Sequence, residues 1–214
     1  LEGPTVRIIW PLQPPDVMRV DAGFLDPAYP EWRRKAGLPP AEHPGVDFNL
    51  RSTSGDQDLG YPVVAACEGR VVHARFHRVW GNVVLLEHEL PGLGRFWTQY
   101  AHLLWMTVRE GDWVLAGEPV GSIGKGDPAR PFAAHLHFEV RRSPIPADAW
   151  PGTNRAYIQE NYLDPVRFIT QNHAPARRYY RPSVVLFAPT RRELGPGVVN
   201  LERPDLAQIG LRKP

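Results

Sequence analysis

The sequence has a single cysteine, Cys67, among 214 residues. That excludes an intramolecular disulfide and any cysteine-based zinc site. Cys67 ends the apolar run Val63-Val64-Ala65-Ala66-Cys67, the setting of a buried structural thiol rather than a nucleophile. No window approaches the roughly 18 consecutive apolar residues of a membrane span. Charge of one sign is also scarce: 25 basic against 23 acidic residues leave a formal net charge of +2. This lacks the dense Lys/Arg clustering of a nucleic-acid binder, yet it does not oppose contact with an anionic surface. No secretion leader is visible. The chain begins at Leu1 rather than Met, and a form from which a leader has been removed is expected. There is no internal repeat and no low-complexity tract.

Proline, in contrast, is abundant, with 24 residues, roughly twice the average usage. Few long helices and many stiff loops are expected. The 43% hydrophobic content supports one core with long decorations. Residues 1–42 are proline-punctuated and read as an N-terminal arm packed on the core, with a strand over Val6–Trp10 and a helical turn or two over Glu31–Ala36. Residues 43–141 are short strands divided by glycines, the pattern of a mainly β fold with an antiparallel sandwich or barrel-like sheet. Thr107-Val108, the turn Glu110-Gly111-Asp112 and Trp113-Val114-Leu115 read as a hairpin within it. Residues 142–214 read as a C-terminal extension packed on the core. There Asp164 and Pro165 are the N-cap and first position of a short helix, and Ser183–Phe187 is one more strand.

The stretch Ala134-His135-Leu136-His137-Phe138-Glu139-Val140 alternates like a half-buried strand. His135, His137 and Glu139 share one face, with the two histidines about 7 Å apart by strand rise. By itself this is equally a surface strand with two exposed histidines. His43-Pro44-Gly45-Val46-Asp47 is too irregular for a helix, so its four-residue spacing presents a loop histidine and then a strand-edge aspartate. His102, in Tyr100-Ala101-His102-Leu103, ends an aromatic strand. Alone, each of these fits a structural role.

Together, in order and with the glycine-divided strands between them, they resemble the lysostaphin-like (LytM-type) zinc endopeptidases of bacterial cell walls. The likeness extends to Tyr61-Pro62-Val63-Val64-Ala65-Ala66, Gly69-Arg70-Val71-Val72, Gly81-Asn82-Val83-Val84-Leu85-Leu86-Glu87-His88 and Glu110-Gly111-Asp112-Trp113-Val114. The resemblance implies the family's duplicated hybrid β motif and one Zn2+ per chain, held by His43, Asp47 and His137. It makes His102 and His135 the catalytic, non-ligand histidines. It implies peptidoglycan peptides as partners, hydrolysis at cross-bridges or stem peptides, an extracytoplasmic location and a monomer, with no nucleic acid and no membrane span. The alternative is a non-catalytic wall-binding or hydrolase-activating protein of the same fold.

Two departures stand out. Members of that family often carry a tyrosine shortly before the first zinc histidine, and Gly37–Glu42 has none. Tyr29 is the nearest upstream, and the sequence leaves open whether it reaches the site. The loop Lys125–Ala134 is bulkier and more basic than usual. His88 is expected to be structural, and His73, His77 and His173 solvated. Glu139 is open to two readings, support for His137 or an ion pair with an arginine. The seven tryptophans read as packing, with Trp80, Trp97, Trp105 and Trp150 open to stacking on sugar rings.

Overall fold

The computed structural model describes residues 8–173. Among them the chain forms strand β1 (Met18–Ala22), helix α1 (Tyr29–Lys35) and strands β2 (Val46–Leu50), β3 (Pro62–Val64) and β4 (Gly69–His77). Strands β5 (Gly81–Leu90), β6 (Gly94–Leu103), β7 (Trp113–Val114), β8 (Pro119–Ser122) and β9 (Leu136–Arg141) follow. Helix α2 (Arg155–Asn161), strand β10 (Tyr162–Leu163) and helix α3 (Pro165–Asn172) close the described chain. The fold is mainly β, and its strands pair antiparallel, as the glycine-divided alternation predicts. The main sheet runs β1-β2-β9-β6-β5-β4-β7, with β10 added beside β9, and β3 and β8 form a separate two-stranded ribbon.

Strand β9 is central, between β2 and β6. All six of its residues are buried, so it is covered on both faces rather than half-buried. Leu136, Phe138 and Val140 face the core, where the rings of Phe48 and Phe138 stand 6.2 Å apart and those of Tyr100 and Phe138 5.2 Å. Truncating Phe138 to alanine would cost about 3–5 kcal/mol by the usual cost of emptying such a position. The opposite face carries His137 and Glu139, both buried as well.

The flanking segments join this sheet. From the arm, β1 pairs along β2, and the Trp10 ring meets Phe48 edge-on at 6.1 Å. From the other side, β10 pairs with the end of β9, and Phe168 of α3 packs on Phe96 at 5.1 Å. The Asp164 carboxylate accepts from the Val166 and Arg167 amides and caps α3, with Pro165 at its first position, as expected.

Two expectations are corrected, and a third is not reached by the described residues. The arm's strand is Met18–Ala22, whereas in the region of Val6–Trp10 the described Ile8 makes only a single bridge, to His173. An edge strand with one polar face carries little hydrophobic signal, which hides it in the sequence. The hairpin over Thr107–Leu115 does not form. Thr107 donates to the Val120 carbonyl beside β8, and β7 pairs instead with Gly69 and Arg70 of β4. The turn at Glu110–Asp112 does form, stitched to Val71 by two backbone bonds of 2.8 Å. The strand expected at Ser183–Phe187 lies outside the described residues.

Candidate metal centre

Pro44 and Gly45 turn the chain between His43 and the start of β2. A Cβ on Gly45 would stand 2.4 Å from the Phe138 carbonyl oxygen and 2.9 Å from Glu139 Cγ. Only glycine lets this loop lie against β9. Register then sets Asp47 of β2 directly opposite His137 of β9, and His137 opposite Ala101 of β6. His102 follows Ala101, and His135 enters β9 after bridging to Gly124. Two strand pairings, β2 with β9 and β9 with β6, thus gather four of the five candidate residues, and the loop supplies the fifth.

His43, Asp47 and His137 converge. His43 Nε2 lies 3.2 Å from His137 Nδ1 and 3.2 Å from Asp47 Oδ1, and His137 Nδ1 lies 3.0 Å from the same oxygen. The other ring nitrogens are committed. His43 Nδ1 donates to the Gly23 carbonyl at 2.8 Å, and His137 Nε2 donates to Glu139 Oε1 at 2.9 Å. In neutral rings these bonds fix tautomers that turn lone pairs toward Asp47. In that state three lone-pair atoms face one another in a buried place, a set suited to a cation between them, whether a metal ion or the proton His137 otherwise holds. Ligand atoms about 2.0–2.1 Å from a tetrahedral ion stand roughly 3.3 Å apart, and this triangle has that size.

Charge points the same way. Asp47 is held well below the usual carboxylate range: burial opposes ionisation, but His43, His135 and His137 outweigh it. His137 is pushed up to about 9, because Asp47 and Glu139 overcome the burial that disfavours a charged ring. Glu139 itself is lowered against the pull of burial by Arg141 and His137. Its two oxygens take both expected partners, since Oε2 accepts from Arg141 Nε at 2.7 Å while Oε1 serves His137.

His102 and His135 stand beside this set with ring centroids 4.7 Å apart. His102 Nδ1 donates to the Trp80 carbonyl at 3.0 Å, and His135 Nδ1 to the Ala133 carbonyl at 2.8 Å. Each neutral ring therefore keeps a lone pair on Nε2. His135 Nε2 is 3.7 Å from Asp47 Oδ1. Burial, then the neighbouring His135 and His137, hold His102 well below the usual histidine range. Its backbone has φ of +63°, a left-handed conformation that costs a non-glycine residue about 1–3 kcal/mol and is concentrated at functional sites.

The structure adds residues that local sequence patterns do not reveal. Tyr29 of α1 stacks on His43 with centroids 4.3 Å apart and planes at 18°. Its hydroxyl is pushed up to about 12 by burial and by Asp47. Trp80 stacks on His102 at 5.7 Å, tilts against His137 at 5.1 Å and meets Trp150 edge-on at 5.2 Å. Neither aromatic wall has a fixed spacing from the histidines, so only the fold brings them there.

The remaining histidines lie elsewhere. His88 is buried, its Nδ1 donating to the Glu68 carbonyl at 2.7 Å and its Nε2 accepting from the Thr98 hydroxyl at 2.8 Å, which is the structural role expected. His73 and His77 are half-buried rather than solvated, with their Nε2 atoms 2.6 Å apart and His73 Nδ1 3.5 Å from Glu110. His173 is exposed, and its Nδ1 donates to the Ile8 carbonyl at 3.0 Å. Cys67 is buried, and burial pushes its thiol up to about 12.

Residues 41–149 match the profile of peptidase family M23. The chain belongs to this family. Relatives of this M23 chain include the peptidoglycan DD-endopeptidase ShyA of Vibrio cholerae, 33% identical over 109 residues, covering 50% of the chain and 22% of ShyA. Lysostaphin of Staphylococcus simulans is 33% identical over 103 residues, covering 48% of the chain and 19% of lysostaphin. The match therefore spans about a fifth of these relatives' own length. In structure, lysostaphin superposes with a TM-score of 0.53 at 21% identity, over 85% of this chain and 61% of that one, which shows a common fold. Among the described residues no helix is long and apolar enough to cross a membrane.

Proposed function

We propose that this M23 family member is a zinc-dependent endopeptidase that hydrolyses peptide bonds in the cross-bridges or stem peptides of peptidoglycan, outside the cytoplasm. The observation that carries the proposal is the convergence of His43, Asp47 and His137 ligand atoms, flanked by the His102 and His135 imidazoles, whose Nδ1 atoms bond backbone carbonyls. A zinc ion held there would supply Lewis-acid chemistry, acidifying water and polarising a carbonyl, with a net +1 left after one carboxylate and two neutral rings.

The protein's own groups do the rest. His135 Nε2 faces the ligand set and is placed to take a proton from the attacking water. His102, kept neutral by burial, takes or returns a proton on the other side, toward the departing amine. Gly23 and Glu139 fix the tautomers of His43 and His137, which keeps both rings basic toward the metal. Trp80 excludes water behind His102 and His137. A non-catalytic member of the fold would have no use for all five chemical groups in one place.

The test is digestion of purified peptidoglycans of several bridge types, with mass analysis of the released ends. New amino termini at peptide bonds, lost with a chelator and restored by zinc, are expected. Zinc-loaded protein that releases nothing from any of them overturns the proposal.

A further inference from the structure

Arg33 belongs to α1, whose last turn carries three basic residues, Arg33, Arg34 and Lys35. Glu31 serves two of them, Arg34 at 2.7 Å and Lys35 at 3.7 Å, three and four residues away on the same helix face. Arg33 is two residues from Glu31 and points elsewhere. Its guanidinium carbon lies 5.3 Å from the centre of the Trp150 ring and 5.7 Å from that of Tyr29. Only Nε has a backbone anchor, donating to the Pro39 carbonyl at 2.7 Å. Among the described residues no carboxylate lies within ion-pair distance of it. Glu42, next to His43 in the chain, is taken by Arg155 at 2.9 Å.

The two rings that hold Arg33 are the two walls of the metal centre. Tyr29 stacks on His43, and Trp150 packs on Trp80, which touches His102 and His137. The guanidinium is therefore held against both walls, half-buried and hydrogen-bonded to the Tyr29 side chain, with no carboxylate partner among the described residues. A planar cation pre-organised on aromatic faces binds carboxylates through paired, charge-assisted hydrogen bonds.

We infer that Arg33, clamped between Tyr29 and Trp150, forms an anion subsite that binds a free carboxylate of the substrate peptide close to the cleaved bond. This rests on the peptidase reading above and narrows it to acidic peptides. Stem peptides carry carboxylates that also occur as amides, and the subsite distinguishes the two forms. A carboxamide keeps the shape but cannot accept two charge-assisted bonds.

The experiment compares cross-linked muropeptide dimers whose stem carboxylates are free with the same dimers amidated. One arm has only the terminal carboxylate amidated and the other only the internal one, which identifies the group bound. The zinc-loaded wild type is expected to favour the acid over the amide by about tenfold or more in kcat/KM, carried by KM. Arg33→Gln collapses that ratio toward one, Arg33→Lys restores part of it, and Arg34→Gln leaves it unchanged. Cleavage of acid and amide at equal efficiency overturns the subsite and leaves the peptidase standing. Persistence of the preference in Arg33→Gln assigns it to the metal's own charge and overturns the role of Arg33. If neither dimer is cleaved, the peptidase reading fails, and fluorescence anisotropy of the same labelled dimers decides the subsite. Tighter binding of the acid that Arg33→Gln abolishes supports it, and equal affinities overturn it.

Discussion

His137 and Glu139 share one face of β9, and the Nε2–H of His137 donates to Glu139 Oε1 at 2.9 Å while Arg141 holds the other oxygen. The carboxylate thus orients the His137 imidazole of the candidate metal centre and neutralises a fully buried guanidinium at once. Glu139→Gln removes the charge and keeps the shape. It is expected to weaken zinc binding by about 10–100-fold, the usual effect of losing a carboxylate behind a ligating histidine. It also strands the Arg141 charge, a loss of about 3–5 kcal/mol. Competition with a chromophoric chelator reads the first effect and denaturant unfolding the second. Unchanged zinc affinity would remove Glu139 from the site.

The proposed function gives the two histidines of the Ala134–Val140 stretch different roles. His137→Ala is expected to lose zinc and activity together. His135→Ala is expected to keep about one zinc per chain and lose roughly 10²–10⁴-fold in kcat, the range of a general acid or base. Metal content by mass spectrometry beside a digestion assay tells them apart. Equal metal loss in both variants would sink the assignment of ligands.

How much of this could be read from the chain follows from where each signal lies. Strands β2, β5, β6 and β9 were legible because alternation and glycine punctuation are local, whereas the candidate site residues stood out only through the family resemblance, since each alone fits a structural role. Glu139 was legible only as a choice, since a sequence does not show that two oxygens can serve two partners. The arm was legible as a segment with a helical turn near Glu31, which the structure has as α1, but what that helix touches was not legible. Tyr29 arrives at His43 through the packing of α1, with no periodicity linking residues 14 positions apart. The supposed hairpin at Thr107–Leu115 failed for a similar reason, because β8 and β4 offered these backbones better-placed partners than each other.

His88 sets a pH dependence away from the metal. Burial lowers it to about 4 from its ordinary 6.5, so the folded protein prefers the neutral ring. A depressed value contributes stability that is complete above 6.5 and is lost as pH falls toward 4. The full effect is about 3 kcal/mol. His88→Gln forfeits the ring's packing at pH 7 and is less stable there, but it escapes this loss. The stability gap between the two proteins is expected to narrow from pH 7 to pH 4 in denaturant titrations. A constant gap would show that His88 does not titrate with unfolding.

Tyr29 lies flat on the His43 ring and keeps its proton to about pH 12, because burial and the Asp47 charge both disfavour the phenolate. At neutral pH its hydroxyl keeps a proton to donate, and its ring lies against His43 of the candidate metal centre. A donor pre-aimed at developing charge contributes about 10²–10³ in kcat, whereas a ring that only braces a ligand contributes through metal affinity. The two contributions separate by substitution. Tyr29→Phe keeps the stack and removes the hydroxyl, and it is expected to lower kcat by about 10²-fold with zinc affinity intact. Tyr29→Ala removes the stack as well and is expected to weaken zinc binding too. If Tyr29→Phe retains full kcat, the hydroxyl has no part in the reaction and the residue only braces His43.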